Sequence, residues 1–189
     1  HIAQTVCGTT CIPFGTDENG EDIMIDRGKP FRRLTMIDAV KEYTGVDFDQ
    51  IPDTAAAKKI ADEKGVHYEK RHEKGDILNL FFDEFVEKKL IQPTFVHTYP
   101  IEVSPLTKKT EDPRFVDRFE LFVNGMEFAN AYSELNDPFD QMERFEAQLA
   151  ARARGDDEAE SIDWSFMDAM KYGMPPAGGI GLGVDRLCM

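Results

Sequence analysis

Two glutamates, Glu120 and Glu127, are the first residues whose spacing suggests chemistry. They flank Asn124-Gly125, a dipeptide that favours a two-residue hairpin turn because both positions tolerate positive φ. With that turn, Val123 pairs with Met126, Phe122 with Glu127, Leu121 with Phe128 and Glu120 with Ala129. Paired residues share a face and each strand alternates, so Glu120 and Glu127 lie diagonally on one face. Phe119, Leu121, Val123 and Phe128 cover the other. Two carboxylates converging on a sheet face suit Mg²⁺, which prefers one or two carboxylates plus substrate phosphates. The same pattern also fits two glutamates facing solvent on a half-exposed sheet.

Asn130, Tyr132 and Glu134 follow closely. In an unbroken strand they would point to the opposite face, among the Phe and Leu side chains, where an unpaired carboxylate is costly. Either the strand ends or bulges near residues 129–131, or Glu134 meets a cation. A carboxylate, an amide and a phenol together suit an ammonium ligand. The plainer alternative is that residues 133–137 only lead into the next helix.

Gly178-Gly-Ile-Gly-Leu-Gly183 gives a third constellation. A dinucleotide fingerprint needs a preceding strand and a βαβ setting, whereas helices and Pro175-Pro176 come before it. A glycine-lined strand on which a flat ligand lies against backbone is the better reading. Val184-Asp-Arg186 then opens a helix, placing Arg186 where its guanidinium can stack on a base or grip a phosphate. Arg186 equally suits an ion pair with Asp185 or another nearby acid.

The elements that must position these residues are legible in outline. A short helix opens the chain at residues 1–6, and residues 21–26 alternate like a strand before Gly28-Lys-Pro30 stops it. Thr35 caps a helix with Met36, Ile37, Val40 and Tyr43 inward and Gly45 as its stop. A second helix spans residues 54–63, and the polar stretch 65–75 is a connector. Asp76 is expected to cap a helix reaching residue 89, with Ile77, Leu80, Phe81, Phe85 and Val86 inward. Gln92-Pro93 leads into a strand over 94–99, and Lys108-Lys109 with Glu111-Asp112 marks an exposed loop. After the hairpin, Asn136-Asp137-Pro138 starts a helix to residue 154. Gly155-Asp-Asp-Glu158 is expected to stop it as a flexible acidic corner. A last helix over 163–172 ends at Gly173. Hairpin-joined strands with helices in separate blocks indicate an α+β fold with an antiparallel sheet.

Bulk properties set the limits. The 189 residues, 41% hydrophobic with 14 Phe, are enough for one domain with a real core. No apolar run is long enough to span a membrane, and no export pattern surrounds His1, so the chain is expected to begin inside a longer one. With 22 basic against 36 acidic residues, net −14, the surface repels phosphate backbones. That excludes a nucleic-acid-binding module acting alone, though an enzyme that handles nucleic acid through another domain stays compatible. Cys7, Cys11 and Cys188 make no disulfide framework and are expected to be partly buried thiols in a reducing compartment.

Together these pieces resemble a family, the class II lysyl-tRNA synthetases. Gly181-Leu-Gly-Val-Asp-Arg186 looks like the class motif 3, the strand and helix that bind ATP. Thr94-Phe-Val-His-Thr-Tyr-Pro-Ile-Glu-Val-Ser-Pro-Leu106 and the whole of residues 118–138 resemble segments typical of the lysine enzymes, as do Gly155–Ala159 and Tyr172–Pro176. The resemblance covers almost the whole chain and is weakest at 10–20 and 45–75. It implies that Glu120 and Glu127 coordinate Mg²⁺ with ATP, and that Asn130, Tyr132 and Glu134 contact lysine. Gly181, Gly183, Asp185 and Arg186, with Glu127, would hold ATP.

The implied reaction is lysyl-adenylate formation followed by transfer to tRNA(Lys), in a cytoplasmic homodimer with no membrane role. No side chain is named as catalytic, because such sites work by positioning and charge neutralisation. Residues 1–189 would be the part of the catalytic domain from after motif 2 through motif 3. Motifs 1 and 2 and the anticodon-binding domain have no match here, so the chain alone is expected to be inactive. The lysyltransferase of elongation factor P and a non-catalytic synthetase paralogue are the rival readings. Intact Glu120, Glu127 and Arg186 speak against the paralogue.

Overall fold

The computed structural model describes residues 1–153 and 162–189. The expected stop at Gly155–Glu158 lies outside the described residues. The first helix, α1 (Ile2–Cys7), leads into a small antiparallel ribbon of β1 (Cys11–Thr16) and β2 (Asp22–Asp26). β1 was not foreseen, because Cys11-Ile-Pro-Phe-Gly lacks clean alternation and contains a proline.

Next come β3 (Arg32–Thr35), α2 (Met36–Thr44), α3 (Thr54–Lys64), α4 (Lys74–Phe85) and β4 (Thr94–Pro100). The hairpin strands β5 (Phe115–Val123) and β6 (Met126–Ser133) follow, then α5 (Pro138–Ala153) and α6 (Trp164–Tyr172). β7 (Gly178–Leu182) and α7 (Val184–Cys188) close the chain.

The main sheet has the order β3-β4-β5-β6-β7 and is antiparallel except for the β3–β4 pair. That parallel pair requires a crossover, and α2, α3 and α4 supply it. Their apolar stripes, including Met36, Val40, Ala57, Ile77 and Phe81, bury against Val96, Tyr99, Val116 and Phe122 on one sheet face. This is the larger core, and it fixes the sheet beside the candidate site. On the opposite face, Val123, Leu121 and Phe128 pack with Phe14 and Ile25 of the ribbon.

Thr35 caps α2 by accepting from the Asp38 amide, and Gly45 ends it in a left-handed conformation, both as expected. α4 differs from expectation. Its N-cap is Glu73, and Asp76 sits at the third helical position, where its carboxylate accepts the Glu73 amide at 2.7 Å. The helix also stops at Phe85, and Glu87–Lys89 forms a separate 3₁₀ turn. A reciprocal capping pair moves the start three residues upstream of where a lone Asp would put it. The expected exposed loop is pinned, with Lys109 bridged to Val116 and its ammonium paired with Asp140 at 2.8 Å.

The three cysteines, expected to be partly buried, are all exposed. They lie at the end of α1, at the start of β1 and at the end of α7. No helix among the described residues is long and apolar enough to cross a membrane.

Candidate functional site

The turn forms as its residue types require, with Asn124 at φ 50° and Gly125 at φ 67°. Val123 pairs with Met126 and Phe122 with Glu127, as expected. The register then shifts, and Leu121 pairs with Ala129, Glu120 with Asn130, Phe119 with Ala131 and Arg118 with Tyr132. Phe128 is the extra residue of a β-bulge. It turns into the core with Phe14, and the next residue, Ala129, stays on that same apolar face.

Every later residue of β6 is thereby inverted relative to an unbroken strand. Asn130 and Tyr132 join Glu120 and Glu127 on one face. The expected break exists, but one residue earlier than the expected window.

A second irregularity acts on the neighbouring strand. Thr98 has φ 62°, a conformation that β-branched residues rarely adopt, and the β4–β5 register shifts between His97 and Tyr99. The strand turns over there, so Tyr99 reaches the Glu120 face. Its hydroxyl donates to Glu120 Oε2 at 2.8 Å, while Arg118 donates to Glu120 Oε1 at 2.5 Å. The Arg118 guanidinium lies 4.7 Å from the Tyr99 ring centre.

Burial pushes the Glu120 carboxyl up from its ordinary range. The Arg118 charge and the Tyr99 hydrogen bond pull it back, and the nearby Glu127 charge opposes them. Tyr99 is pushed well above its ordinary value by burial and by Glu120, so it remains a proton donor.

Glu120 and Glu127 line one cleft of about 300 Å³ between α4 and the β5–β6 hairpin, with Asn79, Asp83, Glu87, Tyr99 and Arg118. Partial burial, then the charges of Glu87 and Glu120, push Asp83 up to about 6. No group of three or more His, Cys, Asp or Glu among the described residues is arranged to hold a metal ion. Glu120 and Glu127 share one sheet face, and a pair of carboxylates suits a cation that takes its other ligands from phosphate and water. Each Glu120 oxygen has a lone pair left after its hydrogen bond, so Arg118 and Tyr99 orient the carboxylate without using it up.

β7 forms the floor beside these residues. Gly181 pairs with Asn130 and Gly179 with Tyr132, which places both glycines on the Glu120 face. Ile180 and Leu182 point the other way. At Gly181 an added Cβ would meet nothing closer than the Asn130 carbonyl oxygen at 3.8 Å, so this strip of backbone is bare. At Gly179 a Cβ would stand 2.7 Å from Glu134 Oε1. Glu134 thus leans over the glycine strand one step beyond Tyr132.

Glu134 does not line the glutamate cleft; it borders a different one, of about 350 Å³, lined by Lys108, Lys109, Ser133 and Ala177 among others. The structure therefore puts Asn130 and Tyr132 on the face of the glutamate pair, while Glu134 lines the second cleft and reaches only as far as Gly179. Arg186 is exposed, and its guanidinium donates to the Glu127 carbonyl oxygen. Asp185, also exposed, lies in the first turn of α7, whose N-cap is Gly183.

Sequence reasoning missed Tyr99, Arg118 and Asp83. Arg118 carried a signal, since it shares parity with Glu120 two residues away. Tyr99 carried none, because only the inversion at Thr98 brings it to that face.

The model of the class II tRNA synthetases (D, K and N) matches residues 4–189. The chain belongs to that family. Among relatives of this class II synthetase chain, the lysine–tRNA ligase of Streptococcus thermophilus is 54% identical over 191 residues, covering 100% of the chain and 37% of the relative. Those of Lactiplantibacillus plantarum and Leuconostoc citreum are 57% and 58% identical, over 89% and 87% of the chain and 34% of each relative. The class II chain thus spans little more than a third of the length of the curated relatives it matches.

Proposed function

We propose that this chain carries the metal, amino-acid and adenine sides of a site that activates lysine with ATP as lysyl-adenylate and passes it to tRNA(Lys). One observation carries the reading most: the bulge at Phe128 gathers Glu120, Glu127, Asn130 and Tyr132 on one sheet face, beside a bare glycine strand. Glu120 and Glu127 would hold Mg²⁺, which supplies charge neutralisation to the ATP phosphates when bound. The adenine ring lies against the backbone of Gly181 and Gly183, with Arg186 released from the Glu127 carbonyl to stack on it. Asp185 orients the start of α7 under Arg186. Asn130 and Tyr132 contact the lysine, and Glu134 receives its ammonium by closing over Gly179.

None of these side chains needs to move a proton. The lysine carboxylate is already a nucleophile, so the residues act by holding it in line with the α-phosphate and excluding alternatives. In this reading residues 1–189 are the part of the catalytic domain from after motif 2 through motif 3. The working protein is a cytoplasmic homodimer that also meets tRNA through an anticodon-binding domain.

The test is lysine-dependent ATP–pyrophosphate exchange. The full-length protein is expected to support it with lysine and to lose it in Glu120→Gln, while the 189-residue chain alone shows none. Exchange supported equally by other amino acids, or exchange by the 189 residues alone, contradicts the proposal.

A further inference from the structure

The Arg118 guanidinium is held from three directions. Nη1 donates to the Ser104 hydroxyl at 2.8 Å and the Val103 carbonyl at 3.3 Å, Nη2 to Glu120 Oε1 at 2.5 Å, and Nε to Asn130 Oδ1 at 3.2 Å. Its side chain is only 18% exposed and lies over the Tyr99 ring, whose hydroxyl holds the other Glu120 oxygen. Arginine is the side chain for this geometry, because its donors leave in fixed, coplanar directions from one rigid group.

The Asn130 contact exists only because the bulge places Asn130 opposite Glu120. Its chemistry is also directional. Arginine has no acceptor, so Asn130 must turn its carbonyl oxygen to Arg118 and leave its two N–H donors for another partner.

We infer that Arg118 is a positioning residue of the proposed site, holding Glu120 of the metal side and Asn130 of the amino-acid side in one network, so that the two sides are set together. The inference rests on the functional reading above. It assigns Arg118 no contact with substrate. It acts through the orientation of one carboxylate and one amide. Lysine at position 118 keeps the charge, but a single ammonium on a flexible stem cannot satisfy Ser104, Glu120 and Asn130 at once.

The experiment uses the full-length protein in lysine-dependent ATP–pyrophosphate exchange, with thermal melting alongside. For Arg118→Lys, the lysine KM and the half-saturating Mg²⁺ are each expected to rise about tenfold, the lower end of what loss of an outer partner of a metal ligand does. Ser104→Ala removes one anchor of Arg118 and touches neither site residue, and it is expected to move both quantities the same way by about threefold. In the double variant Arg118→Lys/Asn130→Ala, the lysine KM is expected to equal that of Asn130→Ala alone, which a general loosening of the fold would not give.

The inference is overturned if both single variants leave lysine KM and Mg²⁺ dependence within twofold of the parent. It is also overturned if only the melting temperature falls, or if the double variant multiplies the two effects. Glu120→Gln and Asn130→Ala serve as the reference. If those two are silent, the functional reading has failed. If they impair exchange and the Arg118 and Ser104 variants do not, only the role of Arg118 has.

Discussion

Gly181→Ala separates the fold from the site. Gly181 pairs with Asn130 and has no positive φ, so an L residue fits its backbone. The added Cβ would project onto the Glu120 face with 3.8 Å to its nearest protein atom, an ordinary contact. The fold therefore loses nothing. Replacing glycine by alanine inside a strand is expected to stabilise by about 0.5–1 kcal/mol, or a rise of roughly 1–4 °C in melting temperature for a domain of this size.

A ring lying flat on that strand at van der Waals contact meets the methyl directly. It must shift by about 1 Å, a displacement that costs on the order of 10²-fold in rate. The assay is lysine-dependent exchange by the full-length variant as a function of ATP, alongside a melt. A well-folded Gly181→Ala with ATP KM and kcat within threefold of the parent would refute the glycine floor as a ligand surface.

Other perturbations test the electrostatics. Tyr99→Phe removes a donor from the buried Glu120 and is expected to cost about 1.5–3 kcal/mol in urea unfolding at neutral pH, as for a hydrogen bond to a charged group. That bond lowers the carboxyl's folded pKa, so its contribution is present while Glu120 is ionised and fades as acid protonates it; a cost independent of pH would be wrong. Asp83 behaves oppositely. Its carboxyl is raised from 3.8 to about 6, so its penalty to folding is absent at lower pH and complete above about 6. Asp83→Asn should therefore stabilise by about 1 kcal/mol at pH 8 once solvent screening is allowed for, the gain growing between pH ~4 and ~6. An equal gain at pH 3.5, or a loss at pH 8, would show that burial and the charges of Glu87 and Glu120 do not hold the Asp83 carboxyl above its ordinary range.

The hairpin was legible because Asn124-Gly125 dictates its turn locally, and local chemistry is what a sequence displays most directly. The face of Glu120 and Glu127 followed from parity alone. What parity misses is an extra residue. Phe128 and Ala129 sit on the same face in succession, and two adjacent apolar residues are the only trace of that bulge in the sequence. Thr98 gave no trace at all, since a β-branched residue is among the least expected at positive φ.

Tyr99 and Arg118 were therefore read as strand residues, although they bind Glu120. β3 was invisible because four residues flanked by a cap are too short to show a period, and its parallel partner is 62 residues away. Glu134 was grouped with Asn130 by proximity in sequence. Its position in a second cleft depends on where β6 ends and the loop after Pro105 returns, which is a tertiary matter.

The central claim is that Glu120 and Glu127 together hold the metal of an ATP site. Crystals of the full-length protein with ATP, lysine and Mn²⁺ in place of Mg²⁺ would show the metal directly by its anomalous signal. The account predicts a peak roughly 2.0–2.2 Å from a carboxylate oxygen of each glutamate and from phosphate oxygens, with the purine over Gly181 and Gly183. A metal bound instead by Asp83 and Glu87, with Glu120 turned only to Arg118 and Tyr99, would contradict it.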